Sequence, residues 1–148
     1  WGNYPDSLEI PLKGKASRAY LLMAGSTNHM QCHIDNGVIR IYYKDGTRDV
    51  MFLRNPDNWP PIEHIFFEDG LAFNRHTPAL YRLRLKTGEI SNNFGEELGF
   101  PGASRELDGG AAVLLEMPLN PGKKLSHLVL ETLSNDVVIG LMSITLQR

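Results

Sequence analysis

Ala111-Ala112-Val113-Leu114-Leu115-Glu116-Met117-Pro118-Leu119, Leu125-Ser126-His127-Leu128-Val129-Leu130-Glu131-Thr132 and Val137-Val138-Ile139-Gly140-Leu141-Met142-Ser143-Ile144-Thr145-Leu146 follow one another along the chain. Each is rich in aliphatic residues, and Asn, Asp, Pro and Gly punctuate the gaps between them, so each reads as a strand. The third is apolar at odd positions (Val137, Ile139, Leu141) and at even ones (Val138, Met142, Ile144, Leu146). A half-exposed strand alternates, so this composition predicts a central strand covered on both faces. The three runs together read as the closing part of a β-sandwich.

Working outward, residues 18–23, 30–34, 38–43 and 48–53 alternate in the same way. Asp35-Asn36-Gly37 and Lys44-Asp45-Gly46-Thr47 separate the last three. Asn-Gly and Asp-Gly favour type I′ turns, which need positive φ at both central residues. The pattern predicts a three-stranded meander with turns at Asn36-Gly37 and Asp45-Gly46. Residues 79–86 form a further strand, with Tyr81, Leu83 and Leu85 turned inward and Arg82 and Arg84 outward. Residues 55–78 and 91–110, rich in Pro, Gly and Asn, read as long loops, within which Ile65-Phe66-Phe67 and Leu71-Ala72-Phe73 are either short strands or pieces of an Ω-loop. No window carries an apolar stripe at helical spacing. The expected fold is all-β: an antiparallel β-sandwich, jelly-roll-like, with Leu83, Val113, Leu115, Leu130, Ile139 and Leu141 in its core.

The 148 residues, 42% of them apolar, suit one domain spanning 1–148. A chain of this size buries roughly 68–70% of its unfolded surface and needs no covalent staple. The single cysteine, Cys32, shares a strand face with Met30 and Ile34 and reads as a buried thiol. A net charge of -2 with both signs scattered gives none of the basic field that nucleic acid requires. No apolar run approaches the roughly 20 residues that span a bilayer, and no signal peptide is visible. The chain begins at Trp1, from which we expect either a domain excised from the C-terminal end of a longer protein or a processed chain.

Catalytic chemistry finds little local support. His29 and His33 lie on a predicted strand, where four residues span about 13 Å, too far for one zinc ion. His64, His76 and His127 stand alone, so no metal site and no cofactor are expected, while loop acids and carbonyls leave a structural calcium open. Glu68-Asp69, Glu96-Glu97 and Glu106/Asp108 read as solvated loop acids rather than a paired acid and base. Neither Ser26 nor Ser104 sits in a Gly-x-Ser-x-Gly elbow. The chain is not expected to be an enzyme.

Two groups suit binding. Trp59, among Asn55, Asp57, Asn58 and prolines, is either a stacking platform for a sugar ring, with the polar neighbours satisfying hydroxyls, or a plug closing the end of the core. Arg40, Tyr42, Arg82 and Arg84 would form a cationic stripe if their strands neighbour one another, or an ordinary solvated face whose arginines pair with acids such as Glu131.

Residues 20–27, the hairpin from Asn36-Gly37-Val38 to Asp45-Gly46-Thr47, residues 55–63, Gly109-Gly110-Ala111-Ala112 and residues 134–142 carry a resemblance over nearly the whole chain. The chain resembles the C-terminal domain of large proteins from glycan-degrading gut Bacteroidetes. Those proteins carry a domain of unknown function and are similar to glycoside hydrolases of the six-hairpin class. The resemblance implies a galactose-binding-like or related sandwich appended to a glycoside hydrolase, exported to the periplasm or cell surface. It transfers no functional residues. The expected function is a non-catalytic accessory domain of a carbohydrate-active protein. Its partner is either a glycan bound at Trp59 or, in the rival reading, the catalytic domain of the same chain, against which it packs with no ligand of its own.

Overall fold

Alternating apolar residues on strands that each expose one face must be buried against a second such layer. The computed structural model, which describes residues 5–27, 33–55, 57–60, 62, 64–65, 80–92, 105–106, 109–134 and 137–148, shows that arrangement. Among the described residues there are strands and no helix: β1 (Ser7–Pro11), β2 (Arg18–Thr27), β3 (Asp35–Tyr43), β4 (Arg48–Arg54), β5 (His64–Ile65), β6 (Arg82–Arg84), β7 (Ile90–Ser91), β8 (Arg105–Glu106), β9 (Ala111–Pro118), β10 (Leu125–Thr132) and β11 (Val137–Gln147). They form a four-stranded sheet in the order β1-β10-β3-β4 and a five-stranded sheet in the order β11-β2-β9-β6-β7; β5 and β8 make a separate pair. All pairings are antiparallel.

The two large sheets pack face to face as a β-sandwich. Ile39, Ile41, Leu53, Leu128 and Leu130 from one sheet meet Leu21, Met23, Val113, Leu115 and Met117 from the other in a shared core. The chain passes between sheets at β1–β2, β2–β3, β9–β10 and β10–β11, which sets β10 between β1 and β3 and β9 between β2 and β6.

Three expectations need correction. The Asp45-Gly46 hairpin is present, but as a three-residue loop, Lys44-Asp45-Gly46, with positive φ at Gly46 alone (87°) rather than a type I′ turn with positive φ at both central residues. Asn36-Gly37, however, lies inside β3, Gly37 opposite Thr132 on one side and Leu53 on the other, and no positive φ occurs there. Two ladders override the local turn preference of the dipeptide. Of the expected strand 30–34, residues 30–32 lie outside the described part, and His33 and Ile34 form a turn before β3, with His33 at φ 58°.

The last strand is not central. β11 is the edge of the five-stranded sheet, and its side chains are half-buried or exposed. Its doubly apolar composition has another cause: the register against β2 shifts between Leu141 and Ser143. A bulge inserts one residue and swaps the parity of the faces. Ile139 and Leu141 pack on the core before the bulge and Ile144 and Leu146 after it. Of the expected core, Val113, Leu115 and Leu130 are buried, whereas Leu83, Ile139 and Leu141 are only partly so.

The third correction concerns β6. Arg82 stands opposite Val113 and Arg84 opposite Ala111, and directly opposed residues share a face. The arginines therefore point toward the interior, and Tyr81 and Leu85 are exposed. The strand is three residues long, so its phase is set by the ladder to β9 rather than by its own alternation.

Candidate functional site

The Trp59 loop is built by the edge of β4. The Asn58 carboxamide accepts the Arg54 amide on Oδ1 at 2.7 Å and donates from Nδ2 to the Phe52 carbonyl at 2.8 Å. One side chain thus pairs with the strand edge as a neighbouring peptide would, which closes that end of the sheet. The backbone amides of Asn58 and Trp59 both reach the Arg54 carbonyl, at 3.0 and 3.3 Å. Asn55 is buried, and its carbonyl receives the His33 amide at 2.8 Å. Asp57 is half-buried within the same turn.

This scaffold drives the Trp59 ring into the core, where it is 0% exposed. The ring lies on Gly25 of β2: a Cβ there would sit 2.7 Å from Cζ2 and 3.0 Å from Cη2 of the indole. Beyond it, Ile62 bridges the ends of β2 and β9, donating to the Gly25 carbonyl at 2.7 Å and accepting from the Ala111 amide at 2.8 Å. A ring without an exposed face cannot stack on a sugar. Of the two readings of Trp59, the geometry is that of the plug, and Asn58 spends its carboxamide on the strand edge that holds it.

The second candidate patch does not assemble. Arg40 and Tyr42 are on β3 in one sheet, Arg82 and Arg84 on β6 in the other. Arg82 is 9% exposed and donates from Nη2 to the Ala111 carbonyl at 3.1 Å, while Arg84 reaches Glu89 at 3.6 Å.

Different residues gather around Arg40 and Tyr42. Tyr42 is opposed by Arg48 on β4 and His127 on β10. The Tyr42 and His127 rings stack with centroids 4.7 Å apart and planes 12° from parallel; the Arg48 guanidinium lies over the other face of Tyr42 at 6.0 Å. Arg40 pairs with Glu131 at 2.6 Å, and His127 shares a 2.9 Å hydrogen bond between its Nδ1 and Ser126 Oγ and approaches Glu9 at Nε2. The rings stand on edge across the sheet, so neighbours rather than solvent occupy their faces. Arg48 was legible, since the Asp45-Gly46 hairpin sets it opposite Tyr42. His127 was not, because no local signal places β10 beside β3.

At the end of the sandwich away from Trp59, Tyr43 donates to Asp49 and accepts the Asn120 amide at 2.8 Å. Burial and the Asp49 carboxylate raise its pKa. Asp45 is held down at about 2, first by the Thr47 hydroxyl and amide and then by Lys123, which is 3.1 Å away. These contacts tie the β3–β4 turn to the β9–β10 turn.

Among the described residues, no three His, Cys, Asp or Glu side chains converge as a metal site. Cys32, His29 and His76, like the paired acids Glu68-Asp69 and Glu96-Glu97, lie outside the described part. No described helix is long and apolar enough to cross a membrane. No protein-family model, no curated protein and no solved structure matches the chain.

Proposed function

We propose that the chain is a non-catalytic structural module of a larger carbohydrate-active protein, with no glycan platform of its own at Trp59. The full burial of Trp59 over Gly25 carries this reading, because it turns the strongest sugar-binding signal in the sequence into a packing device. The attribution to a carbohydrate-active parent rests on the resemblance described above, as does export to the periplasm or cell surface.

The test is a titration of the protein, with Trp1→Phe to isolate the Trp59 signal, against a panel of neutral and acidic oligosaccharides. Blue-shifted emission that no glycan alters is expected. Trp59→Ala should cost about 3–5 kcal/mol of stability in chemical denaturation, as loss of a large core aromatic does. A glycan-dependent shift in emission, with a stability loss within about 0.5 kcal/mol as for a surface change, would restore the platform.

A further inference from the structure

The outer faces of the two sheets differ in charge. That of the four-stranded sheet interleaves Arg40, Arg48, His127 and Glu131 with the exposed apolar side chains Val50 and Phe52. On the five-stranded sheet, the inner positions of β2 and β9 are Ala19, Leu21 and Met23 against Met117, Leu115 and Val113. The outer positions follow by alternation: Leu22 opposes Leu114, and Leu83 opposes Ala112 on one side and Ile90 on the other. Tyr81 extends the Leu114 row, its carbonyl accepting the Leu114 amide at 3.0 Å. Met142, thrown out by the bulge, borders Leu22 at the far edge.

The result is two adjacent rows crossing the sheet; among the described residues neither contains a charge, and in the second the small side chain of Ala112 is fully covered between its larger neighbours. The first ionic contact on this face, between Arg18 and Glu116, lies beyond the Leu22–Leu114 row. Ile90 is 64%, Tyr81 55%, Met142 52% and Leu114 38% exposed, each far more than packing within the sheet requires.

The size of this face limits what can cover it. Two rows over five strands spaced about 4.8 Å apart measure about 24 by 13 Å, on the order of 300 Å². A stable complex between separate molecules buries about 800 Å² on each partner. Contacts between domains of one chain start near 600 Å² in total, roughly 300 Å² a side. A covalent tether supplies the missing affinity by raising the effective concentration to the millimolar range.

We propose that Leu22, Leu83, Leu114, Ile90, Tyr81 and Met142 form a docking face for a folded domain of the same polypeptide, through a complementary aliphatic and aromatic surface with few charges. This rests on the reading of the chain as a module of a larger protein. The occupant is covalently linked because the face is too small to hold a free partner. It is apolar because a charged one would lose its hydration against rows that offer no counter-charge.

Hydroxyl-radical footprinting of residues 1–148 and of the intact gene product tests this. Tyr81 and Met142 should oxidise several-fold more slowly in the intact protein, while Tyr42 and Phe52 on the opposite sheet keep their rates. Residues 1–148 should sediment as a monomer. The pair Ile90→Lys and Leu114→Lys should return Tyr81 and Met142 to their unprotected rates in the intact protein. Equal rates in the two samples, or slow oxidation already in residues 1–148, would overturn the proposal. A dimer of residues 1–148 protected at these side chains would assign the face to a second copy and overturn it as well. The titration at Trp59 is read separately: a glycan response with a protected face sinks the functional reading alone.

Discussion

Gly37→Ala separates two reasons for a glycine at that position. As the second residue of an Asn-Gly turn, Gly37 would be required for its positive φ. In β3 it is required because the opposite sheet comes close: a Cβ there would overlap Cδ1 of Ile139 and lie 3.2 Å from the Glu131 carbonyl and 3.3 Å from Cδ1 of Leu53. Gly37 is buried, so the added methyl has nowhere to go. Overpacking of this kind costs about 1–3 kcal/mol. Ile139→Val removes the overlapping atom, and alone it should cost about 0.5–1.5 kcal/mol, toward the lower end for a half-buried side chain. In the double variant the two losses should not add. The coupling is expected to favour the pair by about 1 kcal/mol or more, with part of the Gly37→Ala penalty left against Glu131 and Leu53. Urea denaturation of the four proteins measures it. Losses that add within about 0.3–0.5 kcal/mol would refute the steric account.

Asn58→Ala removes both hydrogen bonds to the β4 edge and should lower stability by about 1–3 kcal/mol, at about 0.5–1.5 for each bond; urea denaturation measures it, and Asn58→Asp should recover only part, keeping the acceptor for Arg54 but no donor for Phe52. Leu21→Ala in the full core should cost about 2–5 kcal/mol in the same assay, and Leu141→Ala on the edge strand clearly less; equal losses would contradict the edge placement of β11. Asp45 titrates from 3.8 when unfolded to about 2 when folded. A depressed carboxyl stabilises fully above its unfolded value, and that contribution is lost as pH falls through the folded one. Wild type should therefore lose more stability than Asp45→Asn between pH 3.8 and about 2, as followed by thermal melting at each pH.

The fold was legible wherever a local pattern and its ladder agree. Residues 125–132 are β10 to the residue, 48–53 and 111–119 are within one of β4 and β9, and the chain reverses at Asp45-Gly46 as expected, with positive φ at Gly46 alone. The failures all come from non-local pairing. Asn36-Gly37 carries a turn signal, yet β10 and β4 grip it from both sides and hold it extended. The inward arginines of β6 follow from opposition to Val113 and Ala111, which nothing within residues 79–86 encodes. For the candidate site, Trp59 was recognised as important, but its direction depends on a cavity that Gly25 leaves in a strand about thirty-five residues earlier in the chain.

β11 shows how one inserted residue serves packing and solubility together. From Val137 to Gln147 it has no charge and no proline, and it lies at a sheet edge, the arrangement that invites pairing with another chain. Without a bulge its inward set would be all odd or all even, and a second such strand could join along its whole length. The shift at Met142 places Ile139 and Leu141 inward on one side and Ile144 and Leu146 inward on the other. A regular strand laid along this edge keeps its faces in register on one side of the bulge only, about five residues. The bulge thus blunts the edge and turns Met142 outward beside Leu22, onto the face proposed for docking. The bulge thereby works against open-ended strand addition along β11, since an added strand meets the swapped parity after about five residues.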